Sequence, residues 1–385
     1  MKFAHLGDCH LGSWRHPSLQ ELNLLSFKTA IDRCIKEGVD FVLIAGDLFD
    51  SAYPPIEILK EAFSILKNLK DHKIPCFIIA GSHDYSVSGK TFLDVLEKAG
   101  FCTNVLKAEE QEDLIVLNPE IYKEVAIYGY PGKKSGLEVA DIKKIKLNQA
   151  PGFFKILMLH TAIKGAIGNL PIEYVDESLL PQADYYALGH LHIDYRDRNL
   201  AYSSPIFPNN FQELEELKYG SFLIIETSPL ELRKITLKIK EVEVVELKIS
   251  NTLTATDYIL SELNKRILAE KIILLKLSGK IEKGKTSNIN FAEIEKFVKD
   301  KNAICLLKST SGLKVEETKI EIETENMNDL EDDIIKKYSQ DNPSQFNSLI
   351  FPLLNSLSLE KQEDEKNLIF QHRLMSEVNK ILNLE

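Results

Sequence analysis

Short apolar runs alternate with amphipathic helical patterns over roughly the first 230 residues of the chain. Residues 41–45 and 77–80 have the length and composition of buried strands, whereas residues 22–37 and 57–70 repeat apolar side chains at helical spacing. This alternation is typical of a layered α/β domain, in which helices cover the faces of a sheet. It predicts an α/β fold for this part of the chain.

The pattern changes near residue 232, where alternating segments rich in lysine and glutamate begin. It predicts a small second domain of α+β type, with strands at 235–249 and 272–277 and helices at 257–268 and 291–299. Residues 315–333 are dense in Asp and Glu and are expected to form a solvated linker or an acidic face.

Two segments of the tail carry apolar residues at helical spacing. Pro352 lies inside the first segment and is expected to kink or interrupt its helix. The apolar stripes either pack on the body of the protein or bind a partner, and both alternatives stay open. Their residues are Phe346, Leu349, Ile350, Leu353, Leu354 and Leu357 in the first segment, and Leu368, Met375, Val378 and Leu382 in the second.

The chain has 385 residues, of which 44% are hydrophobic and 27% charged, enough for two or three packed domains. Its apolar runs are far shorter than the ~20 residues that a membrane helix needs. Asp8 and His10 interrupt the N-terminus before a signal peptide could form, so a cytoplasmic protein is expected, nucleoid-associated if prokaryotic. The net charge of -11 argues against general attraction to DNA, although a local basic surface or a metal site can still bind phosphate.

The five cysteines are widely scattered along the chain and form no Cys-x-x-Cys pair. This distribution argues against both a disulfide framework and a zinc ribbon. Most of the cysteines are expected to be small core residues.

Several predicted strands end in a polar residue of the type that binds metals or transfers protons. In open α/β sheets, ligand sites gather beyond the carboxyl ends of the strands. Residues two apart in an extended segment point to the same side, so Asp8 can act with His10, and His190 with His192. By the same geometry Cys9 points away from them. The strand-end residues are Asp8, His10, Asp47, Ser82, His83, His160, His190 and His192.

Carboxylate and imidazole ligands without thiolate suit Mn²⁺, Fe²⁺ or Zn²⁺ better than Ca²⁺. The chain offers more ligands than one ion with an open position needs, so two ions are expected, bridged by a carboxylate such as Asp47. A pair of ions can activate water and neutralise a phosphoryl group, which indicates phosphoester hydrolysis. His83, beside the ions, could stabilise the charged transition state or protonate the leaving oxygen.

The motifs "DCH", "GDLFD", "GSHD", "LH" and "GHLH", in this order between residues 8 and 192, resemble those of the calcineurin-like metallophosphoesterase superfamily. The short "GDLFD" without a following Arg-Gly, together with "YYALGHLH", resembles the SbcD and Mre-eleven family of DNA double-strand-break repair nucleases. The resemblance implies a four-layer β-sandwich flanked by helices, a small α+β capping domain and C-terminal helices. Beyond about residue 230 it concerns only the layout of the chain.

The resemblance also implies an activity and a role for each motif residue. It implies two Mn²⁺ per chain, with Mg²⁺, Fe²⁺ or Zn²⁺ as alternatives, and single-strand endonuclease and 3′-to-5′ exonuclease activity on DNA. His83 corresponds to the catalytic residue that binds neither ion. One ion is assigned to Asp8, His10, Asp47 and His192, and the other to Asp47, Ser82, His160 and His190.

Partners and a division of the chain follow from the same resemblance. The expected partners are DNA, a second copy of the chain and an SMC-like coiled-coil ABC ATPase, with no membrane contact. Helices near residues 57–70 and 91–98 are candidates for the dimer contact. The expected parts are a nuclease domain at 1–230, a DNA-binding capping domain at 231–315, an acidic linker at 316–342 and ATPase-binding helices at 343–385.

Two positions depart from the family pattern. The third motif usually reads Gly-Asn-His-Asp, with a metal-binding Asn, where this chain has Ser82. A neutral hydroxyl is a poorer ligand than an amide oxygen, so Ser82 is expected to bind weakly, through a water, or not at all. Asp50 stands where many relatives have His, and it either adds negative charge beside the substrate or supports a ligand from outside.

Substrate contact and the choice of function leave alternatives open. Asp50, Lys133, Lys134 and Arg196 are candidates for substrate contact, although a solvated surface explains the basic residues equally well. A phosphodiesterase acting on small nucleotides is the first rival function, and the capping domain and apolar tail argue against it. A DNA-tethering scaffold with a weakened nuclease site is the second, supported only by Ser82 and Asp50.

Overall fold

The computed structural model describes residues 1–86, 89, 91–315, 330–341, 343–362 and 365–384. The chain divides into two compact units, Met1–Lys314 and Val315–Glu385. The strands are β1 (Lys2–Leu6), β2 (Phe41–Ala45), β3 (Cys76–Ile79), β4 (Thr103–Asn104), β5 (Ala108–Gln111), β6 (Leu114–Leu117), β7 (Glu120–Tyr122), β8 (Val125–Tyr130), β9 (Ile145–Leu147), β10 (Phe154–His160), β11 (Tyr185–Gly189), β12 (Asp194–Asp197), β13 (Leu200–Ser203), β14 (Gly220–Thr227), β15 (Leu230–Leu237), β16 (Glu241–Lys248), β17 (Lys271–Ile281) and β18 (Cys305–Val315). The helices are α1 (Pro17–Glu37), α2 (Ile56–Asp71), α3 (Leu93–Lys98), α4 (Glu138–Ile142), α5 (Lys164–Ile167), α6 (Phe211–Glu216), α7 (Ala255–Asn264), α8 (Phe291–Asp300), α9 (Leu330–Asp341), α10 (Ile350–Leu357) and α11 (Asn367–Leu382).

Two six-stranded sheets form most of the first unit. The first sheet has the order β15-β14-β1-β2-β3-β4, and the second has the order β12-β13-β11-β10-β8-β7. Strands β1 to β4 run parallel, as do β8, β10, β11 and β13. The carboxyl ends of these parallel strands therefore lie at one edge of each sheet.

The two sheets pack face to face, with large apolar side chains between them. The ring of Phe3 stacks on that of Phe41 with centroids 4.8 Å apart, and Tyr185 of the second sheet meets Phe3 edge-on at 5.5 Å. Helices α1 and α2 cover the outer face of the first sheet through residues such as Phe27 and Leu66. The short helices α4 and α5 pack on the outer face of the second sheet. The predicted α/β fold with a layered β-sandwich is confirmed.

Local sequence explains where the first elements begin and end. Strand β2 is buried at every position because covered faces lie on both of its sides, which is why its sequence is continuously apolar. Helix α1 begins at Pro17, earlier than predicted, because proline suits the first helical position. It ends where Gly38 adopts a left-handed backbone.

A three-stranded sheet of order β16-β17-β18 packs against α7 and α8 and forms the predicted α+β region. The strand predicted at 235–249 is wrong, because two strands occupy that range. Strand β15 pairs with β14 in the first sheet, so that sheet extends to Leu237, past the boundary predicted at residue 230. The alternation of apolar and polar residues predicts that a segment is a strand, but it does not determine which sheet the strand joins. The functional division of the chain stays a prediction.

The second unit contains three helices among its described residues. Helix α9 lies inside the range predicted as a linker, whose residues 316–329 and 342 lie outside the described part of the chain. Pro352 is the third residue of α10, and the residues before this helix, Asn347–Leu349, form a 3₁₀ turn, so the predicted segment is not one continuous α-helix. A backbone N–H in the first turn has no helical acceptor, so proline is tolerated there.

The five cysteines are buried free thiols, which confirms their prediction as core residues. Among the described helices, none combines the length and the apolar character needed to cross a membrane. A further small sheet, β5-β6-β9, was not predicted, because β5 is exposed and carries no apolar pattern.

Candidate metal centre

Four strand ends from the two sheets carry six of the seven predicted metal ligands. Asp8 and His10 follow β1, Asp47 follows β2, His160 ends β10, and His190 and His192 follow β11. The candidate ligand atoms of Asp8, His10 and His192 lie within 4.8 Å of one another, as do those of Asp8, Asp47 and His160. A third group with the same spacing joins His10 to Asp50 and His83, whereas His190 belongs to none of the three.

Several of these residues hold an unusual backbone conformation. The φ angles are 50° at Asp8, 42° at His10, 50° at Asp47 and 98° at His190. A positive φ costs a residue other than glycine about 1 to 3 kcal/mol, and such residues cluster at functional sites. Neighbouring loops stabilise the conformation, since the N–H of Asp8 donates to Gly46 O at 3.1 Å and that of His10 to Asp47 O at 3.0 Å.

Two glycines allow the loops to close around the centre. A Cβ atom on Gly81 would lie 2.2 Å from Asp47 Oδ1. One on Gly46, whose φ is +87°, would lie 2.2 Å from His160 Nδ1. No larger side chain fits at either position without displacing these groups.

Hydrogen bonds to Nδ1 determine which nitrogen of two buried histidines faces the centre. His10 Nδ1 lies 3.1 Å from Asp50 Oδ1, and His160 Nδ1 lies 2.9 Å from Ala45 O. Both partners only accept, so each Nδ1 donates and each Nε2 is left to face the centre. His160 Nε2 is buried 3.1 Å from Asp47 Oδ2 but makes no well-aligned hydrogen bond within the described structure.

His192 has the same arrangement as His10. Its Nδ1 lies 2.9 Å from Glu213 Oε1, and its Nε2 lies 3.1 Å from His10 Nε2. Two imidazole Nε2 atoms thus point at one place beside Asp47 Oδ2, which is 3.6 Å from His10 Nε2. Imidazole nitrogens converging with carboxylate oxygens are donors that a divalent transition metal prefers.

The charges of the centre favour a cation. Burial opposes a positive charge on His160, but Asp47 and Asp8 outweigh it and raise the pKa of this imidazole to about 10. Burial also opposes ionisation of Asp47, yet His160 and His10 hold the pKa of its carboxyl well below the usual range. Burial, together with the charge of His160, lowers the pKa of His190 to about 4. The residues present therefore fit one or two divalent cations.

His83 and Ser82 lie on the loop that follows β3. The His83 side chain is 48% exposed, and its Nδ1 donates to Asp50 O at 2.9 Å. A cavity of about 510 Å³ opens beside it, with Asp50, Ser82 and Lys134 on the wall. The candidate catalytic histidine thus borders both the metal centre and solvent.

The other basic residues predicted to contact substrate are paired with carboxylates. Lys133 Nζ lies 2.5 Å from Asp141 Oδ2, and Arg196 Nε lies 3.1 Å from Asp194 Oδ1. Their roles in substrate binding stay predictions, as does that of Asp50.

Sequence reasoning missed two carboxylates that support the centre. Asp84 accepts the N–H of Gly81 at 2.9 Å and that of Phe49 at 3.0 Å, which ties the loops after β2 and β3 together. Burial and the charge of Asp47 raise the pKa of Asp84 to about 7. Asp84 stands in the quoted motif "GSHD", whereas Glu213 carries only the Asn-x-x-Glu signal of a helix start.

Sequence comparison finds relatives among archaeal proteins named DNA double-strand break repair protein Mre11. One from Archaeoglobus fulgidus is 29% identical over 246 residues, which cover 59% of this chain and 55% of that protein. One from Methanosarcina mazei is 27% identical and covers 79% and 49%, and one from Methanocaldococcus jannaschii is 32% identical and covers 58% and 62%. The chain spans about half the length of these curated relatives.

The same part of the chain that carries the centre matches a known family. Residues 1–194, about half of the chain, match the sequence profile of the calcineurin-like phosphoesterases. This match confirms the superfamily resemblance seen in the motifs. The chain therefore belongs to the calcineurin-like phosphoesterase family.

Proposed function

We propose that the chain is a two-metal DNA nuclease that processes DNA ends in double-strand-break repair. One observation carries the proposal: strand ends from two sheets, with the loops that follow them, bring carboxylate and imidazole ligands within 4.8 Å of one another in three overlapping groups. Such a donor set supports hydrolysis of phosphoesters. The names of the relatives support DNA as the substrate.

The residues that would hold the two ions share Asp47. Asp8, His10, Asp47 and His192 would hold the first ion, and Asp47, Ser82, His160 and His190 the second, with Mn²⁺ as the proposed metal. When bound, the ions supply Lewis acidity towards the phosphoryl oxygens and lower the pKa of the attacking water. Asp8 and Asp47, the two carboxylic residues among these ligands, are both buried.

His83 is proposed to act on the leaving oxygen. Its Nδ1 donates to the carbonyl of Asp50, which leaves Nε2 to face the substrate. In the imidazolium form, a histidine so held can give the Nε2 proton to an alkoxide leaving group or stabilise charge on the phosphoryl oxygens. Its exposure leaves room for a chain of nucleotides to approach.

The remaining parts of the chain are proposed to position DNA and bind partners. The α+β region within 231–315 would help to hold DNA, and two copies of the chain would form a homodimer. The helices within 343–385 would bind an SMC-like coiled-coil ABC ATPase. Large apolar side chains exposed on α10 and α11, such as Leu357 and Leu368, support this last assignment. A cytoplasmic location is proposed with the function.

Hydrolysis of two substrate classes by the purified full chain tests the proposal. With Mn²⁺, the protein should cleave single-stranded DNA and leave cyclic nucleotides nearly untouched. His83→Ala should lower the rate by about 10²- to 10⁴-fold. His72→Ala is the matched control, because His72 is an exposed residue directly after α2 whose Nδ1 lies 2.8 Å from Asn68 O.

Each outcome of this experiment has a distinct meaning. Cleavage of cyclic nucleotides in preference to DNA would favour the rival phosphodiesterase. The nuclease proposal fails if the protein shows no Mn²⁺-dependent DNA hydrolysis that depends on His83.

A further inference from the structure

Glu213 is the carboxylate that touches a candidate metal ligand from outside the motifs. Its Oε1 lies 2.9 Å from His192 Nδ1. The two side chains are only 16% and 23% exposed, so water competes weakly for this contact. Because a carboxylate only accepts, Nδ1 carries a proton and donates it to Glu213, while Nε2 faces His10.

The Glu213 side chain is itself held in place. Its Oε2 accepts the backbone N–H of Asn209 at 2.8 Å, and its Oε1 accepts the side-chain amide of Asn210 at 2.6 Å. The Asn209–Asn210 segment is in turn fixed, since Ser13 Oγ donates to Asn209 Oδ1 at 3.1 Å. The carboxylate therefore meets His192 in one orientation.

Helix α6, which carries Glu213, is anchored by the small α+β region. Leu214 is fully buried in a cluster that includes Ile272 and Leu274 of β17. Glu215 Oε1 lies 2.5 Å from Lys276 Nζ of the same strand. Three successive residues of α6 thus reach a metal ligand, an apolar cluster and the neighbouring sheet.

A simpler role does not account for these contacts. An acidic residue in the first turn stabilises a helix, and the bond from Glu213 N–H to the Asn210 side chain is an ordinary cap. That role needs the backbone of Glu213 and a negative charge near the helix start. It does not require that the carboxylate reach a histidine from a loop 21 residues away in sequence.

We propose that Glu213 is a positioning residue of the metal centre: it fixes the tautomer and ring orientation of His192, so that Nε2 binds the first ion. The inference rests on the proposed function, since it assigns a role in metal binding. Carboxylate partners of this kind typically contribute about 10- to 100-fold to metal affinity. Because the α+β region anchors α6, that region also determines where the ligand sits.

Mn²⁺ binding to the full chain tests the proposal without a substrate. Titration followed by electron paramagnetic resonance should show first-ion affinity falling in the order wild type, Glu213→Gln, Glu213→Leu. The amide oxygen of Gln still accepts from Nδ1 but lacks the charge, whereas Leu removes both. We expect about a 100-fold loss for Glu213→Leu and a smaller loss for Glu213→Gln.

The ¹⁵N spectrum of labelled histidine reports the tautomer of His192, which general destabilisation of the protein would not change. His192 should be protonated at Nδ1 in the wild type and should lose this tautomer preference in Glu213→Leu. Glu216→Gln is the matched control on the same helix. Glu216 is exposed and its Oε1 accepts from the Gln212 side chain of α6 at 2.8 Å, so both affinity and spectrum should stay unchanged.

The result that overturns the proposal is wild-type Mn²⁺ affinity in both Glu213 variants. If Glu213→Leu fails to fold, the nearly isosteric Glu213→Gln decides alone, and an unchanged affinity in it counts against the proposal. A wild-type chain that binds no Mn²⁺ would overturn the proposed function and this inference together. Wild-type binding without an effect of Glu213 would overturn only the inference.

Discussion

The backbone N–H of His83 donates a hydrogen bond of 2.8 Å to Oδ1 of Asp47. The backbone of the candidate catalytic histidine is thus hydrogen-bonded to the carboxylate at the middle of the metal centre. The other oxygen, Oδ2, lies 3.1 Å from His160 Nε2 and 3.6 Å from His10 Nε2. The Asp47 carboxyl group therefore contacts the loop that carries His83 through one oxygen and lies close to two candidate histidine ligands through the other.

Asp47→Asn is expected to disable the centre. The amide keeps the shape of the side chain but removes the charge that two ions would share. Mn²⁺ affinity measured by calorimetry should fall by at least ~100-fold, and DNA hydrolysis should be lost. Asp32→Asn, on the exposed face of α1, should leave both unchanged. Two ions bound to Asp47→Asn with wild-type affinity would contradict Asp47 as the shared ligand.

Ser82→Asn should strengthen the second metal site. An amide oxygen is a better ligand than a neutral hydroxyl, and Ser82 lies on the cavity wall beside His83. We expect the weaker of the two Mn²⁺ dissociation constants to fall by about 10-fold and the stronger to stay unchanged. Ser51→Asn, on the wall of the same cavity, is the control. No change in either constant would show that position 82 does not reach the metal.

Gly81→Ala should damage the centre through sterics alone. The added methyl would lie 2.2 Å from Asp47 Oδ1 and 2.4 Å from Asp47 N, so the loop after β3 must shift. Loss of Mn²⁺ binding and a lower melting temperature are expected in calorimetric scans. Gly7→Ala, whose methyl would meet Ser203 Oγ at an ordinary 3.4 Å, should behave like wild type. Equal behaviour of the two variants would argue against the packing described for Gly81.

Phe41→Ala should destabilise the whole first unit. Phe41 is fully buried between the two sheets and stacks on Phe3. Truncating such a ring costs about 3 to 5 kcal/mol of unfolding free energy, because it leaves a cavity that neighbours fill only in part. Urea denaturation followed by circular dichroism measures the loss. Tyr53→Ala, at a residue 68% exposed, should change stability by less than about 0.5 kcal/mol.

The pattern of residues predicted the fold, and it proposed a ligand set of which the structure places several members close together. Strand β2 has the predicted bounds, because a strand buried on both faces shows as a continuous apolar run. Asp8 and His10 were identified because strand ends in α/β sheets gather ligands. The pattern failed where nothing local distinguishes the alternatives, as at β15, which joins the first sheet instead of the small one.

The sequence by itself determined the candidate chemistry of this protein: which residues could bind metal and which elements carry them. Only the tertiary structure decided how those residues are supported. His192 meets Glu213 of α6 at 2.9 Å, and His10 meets Asp50 at 3.1 Å because β1 and β2 lie side by side in one sheet. The local sequence gives the type of each side chain. The hydrogen-bond partner of each histidine Nδ1, in contrast, depends on contacts between segments far apart in sequence.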